Sequence, residues 1–471
     1  MARKKRKKKR RKAQQGVIQP LAPPKEEPQQ PTPKKRKPYL SSILVFLLLI
    51  IALLLLGRFF FLPVKVRKDS SLNVLLITLD TTRADRLGCY GYQKTKTPHL
   101  DSLASKGVRF LNVYCQVPLT TPSHCSILTG TYPIYHQVHN NGAYALRPEI
   151  ATLAEILKAK GFATAAFVGS FTVDSRFGLD QGFDVYDDKF AEGQAFKALN
   201  SERKADKGFE AFSGWFDKNH TGQFFCWVHF YDPHLPYDPP SPYKEEFADN
   251  PYDGEIAYMD AYVGKVVEKL QEKKVLDSTL IILAGDHGEA FGEKVETGHG
   301  IFLYEGTMKV PLIFYAENRL SQGMIVKPRV RLIDLMPTVL DMLDIPANKD
   351  IQGLSLLPYI AGKKKEDLDS YIETYFPREN YGWSELVGFI GGECKYIRAP
   401  KEELYNLKKD PEEMRNVIAE EKKISQEMRA KLDELIARNS SQSQPAKREM
   451  TAEEKERLRS LGYVSYSDNI P

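Results

Sequence analysis

Two short apolar runs, each delivering a carboxylate at its end, limit what this chain can fold into more than any other feature. Asn73-Val74-Leu75-Leu76-Ile77-Thr78-Leu79 ends at Asp80, and Thr279-Leu280-Ile281-Ile282-Leu283-Ala284 leads into Gly285-Asp286-His287-Gly288-Glu289. Near-continuous apolarity over a strand's length, rather than alternation, marks a strand covered on both faces. Between the two runs, helical patterns at 97–106 and 150–160 alternate with apolar runs at 163–168 and 224–229. That order predicts crossover units and an α/β fold, with a mostly parallel central sheet flanked by helices. In such sheets ligands bind beyond the carboxyl ends of the strands, where Asp80 and Asp286 stand. A further buried strand is expected at 310–315 and a helix at 332–343, stopped near Pro346; no internal repeat is present.

These elements assign residues 65–346 to one main domain. Residues 347–438 read as a smaller C-terminal α+β subdomain, with strand-like runs near Tyr371 and at 386–390 and a charged amphipathic helix at 420–438. Residues 439–471 read as a polar linker and a short terminal helix ending in Leu461-Gly462-Tyr463.

The N-terminal 64 residues are of another kind. Residues 1–37 hold 15 Lys and Arg against two Glu, so the formal charge of +6 becomes −7 for the rest of the chain. Such a tail is expected to be disordered and cytoplasmic, and because the basic excess is confined to it, no nucleic-acid partner is expected. Residues 40–57 are apolar apart from Ser41 and Ser42, and 59–64 extend the run past Arg58. Residues 38–64 therefore read as one transmembrane signal-anchor spanning a lipid bilayer, with the N-terminus cytoplasmic and the folded part outside. A cleaved signal peptide is the rival, but Gly57-Arg58-Phe59-Phe60-Phe61 offers no small-residue cleavage site. The five cysteines lack metal-type spacing and allow at most two disulfides.

The chemistry is expected around Pro118-Leu119-Thr120-Thr121-Pro122-Ser123-His124-Cys125-Ser126-Ile127-Leu128-Thr129-Gly130. A proline near a helix start costs nothing, and the free N–H groups and helix dipole there favour an anion beside Thr120. Taken alone, Thr-Pro-Ser is just a turn and helix start. The whole segment resembles the signature of the sulfatase family: Cys or Ser, any residue, Pro-Ser-Arg, then apolar residues ending Leu-Thr-Gly. Further landmarks follow in order, among them Leu87-Gly88-Cys89-Tyr90-Gly91, Thr97-Pro98-His99-Leu100 and Leu404-Tyr405-Asn406-Leu407, so the resemblance spans 73 to about 417. It implies an alkaline phosphatase/sulfatase-like catalytic domain. Thr120 stands where sulfatases carry the residue oxidised to formylglycine, and His124 where they carry Arg, so no formylglycine is expected. The order Thr-x-Pro-Ser-His is similar to a bacterial subgroup of membrane-anchored, Thr-nucleophile sulfatase-like hydrolases, which implies a bacterial inner membrane facing the periplasm.

Asp80, Thr120, Asp286 and His287 form a nitrogen and oxygen ligand set for one divalent metal ion. The imidazole favours zinc or manganese over calcium or magnesium, which prefer all-oxygen sites. The resemblance further implies catalytic partners for Thr120. His234, in Phe230-Tyr231-Asp232-Pro233-His234, stands where the family places a histidine that binds the transferred group or protonates the leaving oxygen. His299, between Gly298 and Gly300, resembles the position where relatives use a His or Lys beside the reacting group. His124, Asn141 and His229 are expected to bind substrate, although Asn141-Gly142 is also a simple turn signal. His229, Asp232, His234 and His299 are a possible set for a second ion. The family's Lys-x-His pair is absent, and 167–172 reads Phe-Val-Gly-Ser-Phe-Thr instead.

These residues point to in-line attack by a metal-bound Thr on a sulfate, phosphate or phosphonate ester. A sulfated Thr cannot expel its sulfate as a formylglycine hydrate does, so Thr chemistry leans towards phosphorus. The alternatives are a transferase passing phosphoethanolamine or phosphoglycerol to an envelope glycan or lipid, and an inactive anchored binding protein.

Overall fold

The computed structural model describes residues 25, 28, 44–51, 66–190, 202–440 and 444–463. The chain divides into Met1–Leu62 and Pro63–Pro471. In the first unit, residues 44–51 are helical and their apolar side chains are exposed. The rest of the expected span lies outside the described residues, among which no helix is long and apolar enough to cross a membrane.

The second unit is built on an eight-stranded sheet. Its strands are β1 (Asn73–Leu79), β2 (Val108–Tyr114), β3 (Ala163–Phe167), β4 (Val185–Asp187), β5 (Phe224–Phe230), β6 (Thr279–Gly285), β9 (Lys309–Tyr315) and β10 (Met324–Arg331), while β7 (Ala290–Phe291) and β8 (Thr297–Gly298) pair apart from it. The order is β10-β2-β9-β6-β1-β5-β3-β4, and all pairings are parallel except the two made by β9. The sheet is thus mostly parallel, with β9, expected only as a buried strand, running the other way. Apolarity specified its burial, but strand direction depends on the preceding connection.

Period-2 alternation sends Val74 and Leu76 of β1 to one core and Leu75, Ile77 and Leu79 to the other. The first face is covered by the helix Thr120–Thr129 and by Leu335–Met342; the second by Pro98–Lys106, Ala205–Asn219 and Pro251–Glu272. Thr152 and Glu155 close a capping box that starts Leu153–Ala159, where the helical period predicts a helix. Both faces of β1, β5 and β6 are dry, as their unbroken apolar runs require.

A second, antiparallel sheet has the order β11 (Ser370–Thr374), β12 (Leu386–Gly391), β13 (Cys394–Arg398) and β14 (Glu403–Asn406). Met428, Leu432 and Leu435 of the helix Lys422–Asn439 join Tyr371, Phe389 and Tyr396 in one apolar cluster. The terminal helix is Ala452–Ser460. All five cysteines are free thiols, and four are buried.

Candidate active site

Register builds the centre. Leu79 of β1 pairs with Gly285 of β6, so Asp80 and Asp286, one residue further on, emerge side by side. On the other flank Thr78 pairs with His229 of β5. Thr81, after Asp80, is held at φ 47° with its carbonyl accepting from the Tyr252 hydroxyl at 2.8 Å. A β-branched residue there is strained, as is common where a backbone is held for a site.

The helix Thr120–Thr129 runs entirely buried beneath this edge and starts at Thr120. Pro122 falls in the first turn, where no intrahelical N–H bond is lost. The helix stops at Gly130, φ 65°, whose N–H bonds to the Ser126 carbonyl. Its polar side chains are satisfied by the surrounding structure: Ser123 Oγ donates to the Asp286 carbonyl at 2.7 Å, Ser126 Oγ pairs with His136 Nε2 at 3.0 Å, and Thr121 Oγ1 donates to the Thr172 carbonyl. Thr120 Oγ1 instead lies 3.3 Å from His287 Nε2 and 3.3 Å from the Tyr463 hydroxyl.

Asp80 Oδ2 accepts from His229 Nε2 at 3.1 Å, while Asp286 Oδ1 accepts from the N–H groups of His287 and Thr81 at 2.7 and 3.2 Å. The remaining oxygens, Asp80 Oδ1 and Asp286 Oδ2, are buried without a hydrogen-bond partner among the described residues. They lie 3.7 and 3.5 Å from His287 Nε2. His287 Nδ1 faces the Gly288 carbonyl at 3.0 Å, which places its proton there and leaves the Nε2 lone pair turned inward. Burial raises Asp80 well above the carboxylate range, and burial followed by Asp80 itself does the same to Asp286. Burial, then His299, lowers His287. Ligand atoms of Asp80, Asp286 and His287 lie within 4.8 Å of one another. At that separation two carboxylate charges repel by about 3.5 kcal/mol at an effective dielectric of about 20. Orphaned acceptors, mutual repulsion and a neutral imidazole together fit a divalent cation.

The other expected residues separate into two groups. His234 and His299 stand beside Thr120: their Nε2 atoms lie 2.8 and 3.0 Å from the Tyr463 hydroxyl. Glu289 Oε1 orients His299 through Nδ1 at 2.9 Å, and Tyr231 stacks on His234. His124 and His229 are engaged elsewhere. Thr78 Oγ1 accepts from Trp227 Nε1 at 2.9 Å, so its own proton goes to His124 Nε2 at 3.0 Å, and His124 Nδ1–H donates to the Thr120 carbonyl at 2.8 Å. His229 Nδ1 accepts from the Gly169 N–H at 3.2 Å and its Nε2–H holds Asp80. Burial keeps His229 neutral, with its pKa lowered to about 3. Ligand atoms of His124 and His229 also lie near Asp286, but both rings are spent on these bonds. Asn141 Oδ1 accepts from the Thr121 N–H at 2.9 Å, and its buried Nδ2 has no partner among the described residues. The suggested second-ion set does not converge: no metal-sized cluster among the described residues contains Asp232, His234 or His299, and Asp232 Oδ2 caps the Ala205 N–H.

Sequence reasoning missed Glu289 as the group that orients His299, although it stands in the Asp-His-Gly-Glu run. It also missed Tyr463, whose position carries no local signal.

The sulfatase family model matches residues 72–345, and the model for the C-terminal part of N-sulphoglucosamine sulphohydrolase matches 299–440. An arylsulfatase of Clostridium perfringens is 26% identical, covering 74% of this chain and 90% of its own. The phosphonate monoester hydrolase of Agrobacterium radiobacter superposes with a TM-score of 0.66 at 21% identity, covering 80% of this chain and 100% of its own. The structure of BT4656 in complex with its substrate D-glucosamine-2-N,6-O-disulfate superposes at 0.68 and 20% identity, with the same coverage.

Proposed function

Because the chain belongs to the sulfatase family, we propose that it is a metal-dependent hydrolase of phosphoric, phosphonic or sulfuric esters with Thr120 as nucleophile. The observation that carries this reading is the placement of Thr120 Oγ1, 3.3 Å from a His287 nitrogen that faces two unsatisfied carboxylate oxygens. A divalent cation held by Asp80, Asp286, His287 and Thr120 would lower the hydroxyl's pKa and polarise the ester oxygen. The N-terminal turn of the helix Thr120–Thr129 favours the anionic ester beside Oγ1. His229 and the Thr81 and His287 N–H groups keep the two carboxylates aimed, and Glu289 keeps His299 aimed. With the Thr120 proton passed to solvent, the bond from Oγ1 to phosphorus or sulfur forms in line with the departing oxygen as the ester bond breaks. His299, protonated at Nε2, gives that proton to the leaving oxygen. Water then attacks the Thr ester and gives one proton back to His299 Nε2, and the acid leaves as Thr120 Oγ1 regains a proton from solvent.

Phosphorus is favoured over sulfur because no second hydroxyl on Thr120 can expel the bound group. The named relatives include both an arylsulfatase and a phosphonate monoester hydrolase, which supports both ester classes. The anchored location, with the N-terminus cytoplasmic and the chain after about residue 65 outside, rests on the apolar run 40–57 behind its basic clusters.

Peptide mass spectrometry after incubation with aryl phosphate, phosphonate and sulfate esters tests the nucleophile. A phosphoryl adduct on Thr120, absent from Thr120→Ala, is the expected result. Turnover that survives Thr120→Ala undiminished would sink it. Turnover without a lipid or glycan acceptor separates the hydrolase from a transferase.

A further inference from the structure

We propose that residues 446–463 form an autoinhibitory strap whose Tyr463 hydroxyl sits where an ester oxygen must bind, so that substrate enters only when the strap withdraws. This rests on the reading of Thr120, His234 and His299 as the ester site.

The phenol oxygen lies 3.3 Å from Thr120 Oγ1, 2.8 Å from His234 Nε2 and 3.0 Å from His299 Nε2. His234 Nδ1 faces the Leu235 carbonyl at 2.7 Å and carries the ring proton there, so Nε2 accepts from the phenol. Tyr463 thus spends its one proton on His234 and offers its lone pairs to Thr120 and His299. None of the three remains free for a substrate. A tetrahedral centre poised for attack stands about 3 to 3.5 Å from the nucleophile oxygen, the distance at which Tyr463 already sits. Phenol and ester therefore exclude one another, and Tyr463 mimics the alcohol that an ester would release. The same placement shows that the site admits an aromatic ring, which its tilted contacts with His234 and His299 confirm.

The strap is docked by a built set of contacts. The Ala145 N–H bonds to the Ala446 carbonyl and the Arg448 N–H to the Ala143 carbonyl, both at 3.1 Å. Leu458 is fully buried in the space that a side chain at Gly142 would fill, where φ is 84°. Glu454 is held by Arg176 at 2.9 Å and Arg448 at 3.0 Å, and the Tyr463 N–H returns to the Leu458 carbonyl at 2.8 Å. Yet of residues 451–463 only Glu454, Leu458, Leu461 and Tyr463 are buried. The helix has nine residues, too short to be stable by itself once undocked. Leu458, Leu461 and the ion pairs of Glu454 thus hold an element whose terminal hydroxyl stands against Thr120, His234 and His299.

The test uses the full-length, metal-loaded protein with inorganic phosphate as probe and 4-nitrophenyl phosphate as substrate. Tyr463→Ala removes the plug, and Leu458→Asp undocks the strap without altering Tyr463. Both are expected to bind phosphate at least tenfold more tightly than the parent and to turn over ester faster. Phosphate is expected to increase hydrogen exchange across 446–463 in the parent. The proposal is overturned if phosphate instead protects 446–463 and Tyr463→Phe loses tenfold in kcat at unchanged phosphate affinity, because Tyr463 then lines an open site. Phosphate that binds Asp286→Asn as tightly as the parent, or binds no variant, refutes the reading of the site and the plug with it.

Discussion

Asp80 and Asp286 are both fully buried, and each keeps one oxygen unpaired. Without a cation, burial raises both carboxyls above the ordinary 3.8. A raised folded pKa means that the folded state binds more protons than the unfolded chain once pH exceeds about 4, so the metal-free protein loses stability as pH rises from there. Cation binding requires the same carboxyls ionised and therefore gains strength over that range. Zinc or manganese at about a hundred times its Kd should stabilise the protein by about 2.7 kcal/mol at pH 7. Calorimetry should show the gain in Tm shrinking at pH 5 and vanishing in Asp286→Asn. A gain of equal size in Asp286→Asn would place the cation elsewhere. His124 was legible as a site residue because it follows Thr-x-Pro-Ser. Its orientation was not, because the pairing with Thr78 and Trp227 joins three separate elements.

The terminal segment shows how an element of modest local signal acquires a role from packing. Its capping box, Thr451 to Glu454, was readable as a helix start. Burial alone would raise the Glu454 carboxyl, but the Thr451 N–H, Arg448 and Arg176 outweigh it and hold the group at about 2. A depressed folded pKa stabilises docking above the unfolded value near 4.5, and that contribution is lost as pH falls towards 2. Residues 446–463 should therefore exchange faster at pH 3 than at pH 6, after correction against an unstructured peptide at each pH. Glu454→Gln should show the loosened state already at pH 7. Unchanged protection in that variant would mean that Leu458 and Leu461 hold the segment without the ion pairs.

For the whole molecule, the single-span reading predicts that the full chain stays in the membrane pellet after an alkaline wash of bacterial cells. Protease added to spheroplasts should then digest the part after about residue 65. A soluble chain, or one protected from outside, would remove the proposed anchor. The sequence by itself determined the α/β class and the burial of β1, β5 and β6, and its motifs and family resemblance singled out Asp80, Thr120, Asp286 and His287 as candidates. The apolar runs and the motifs are each local features, readable within one segment. Only the tertiary structure decided the reversed direction of β9, the two carboxylate oxygens left unpaired and the hydrogen-bond partners of His124 and His229. It alone brought Tyr463 to Thr120, 343 positions away in the chain. Such contacts depend on which elements the whole fold makes neighbours, and no periodicity or spacing within one segment records that.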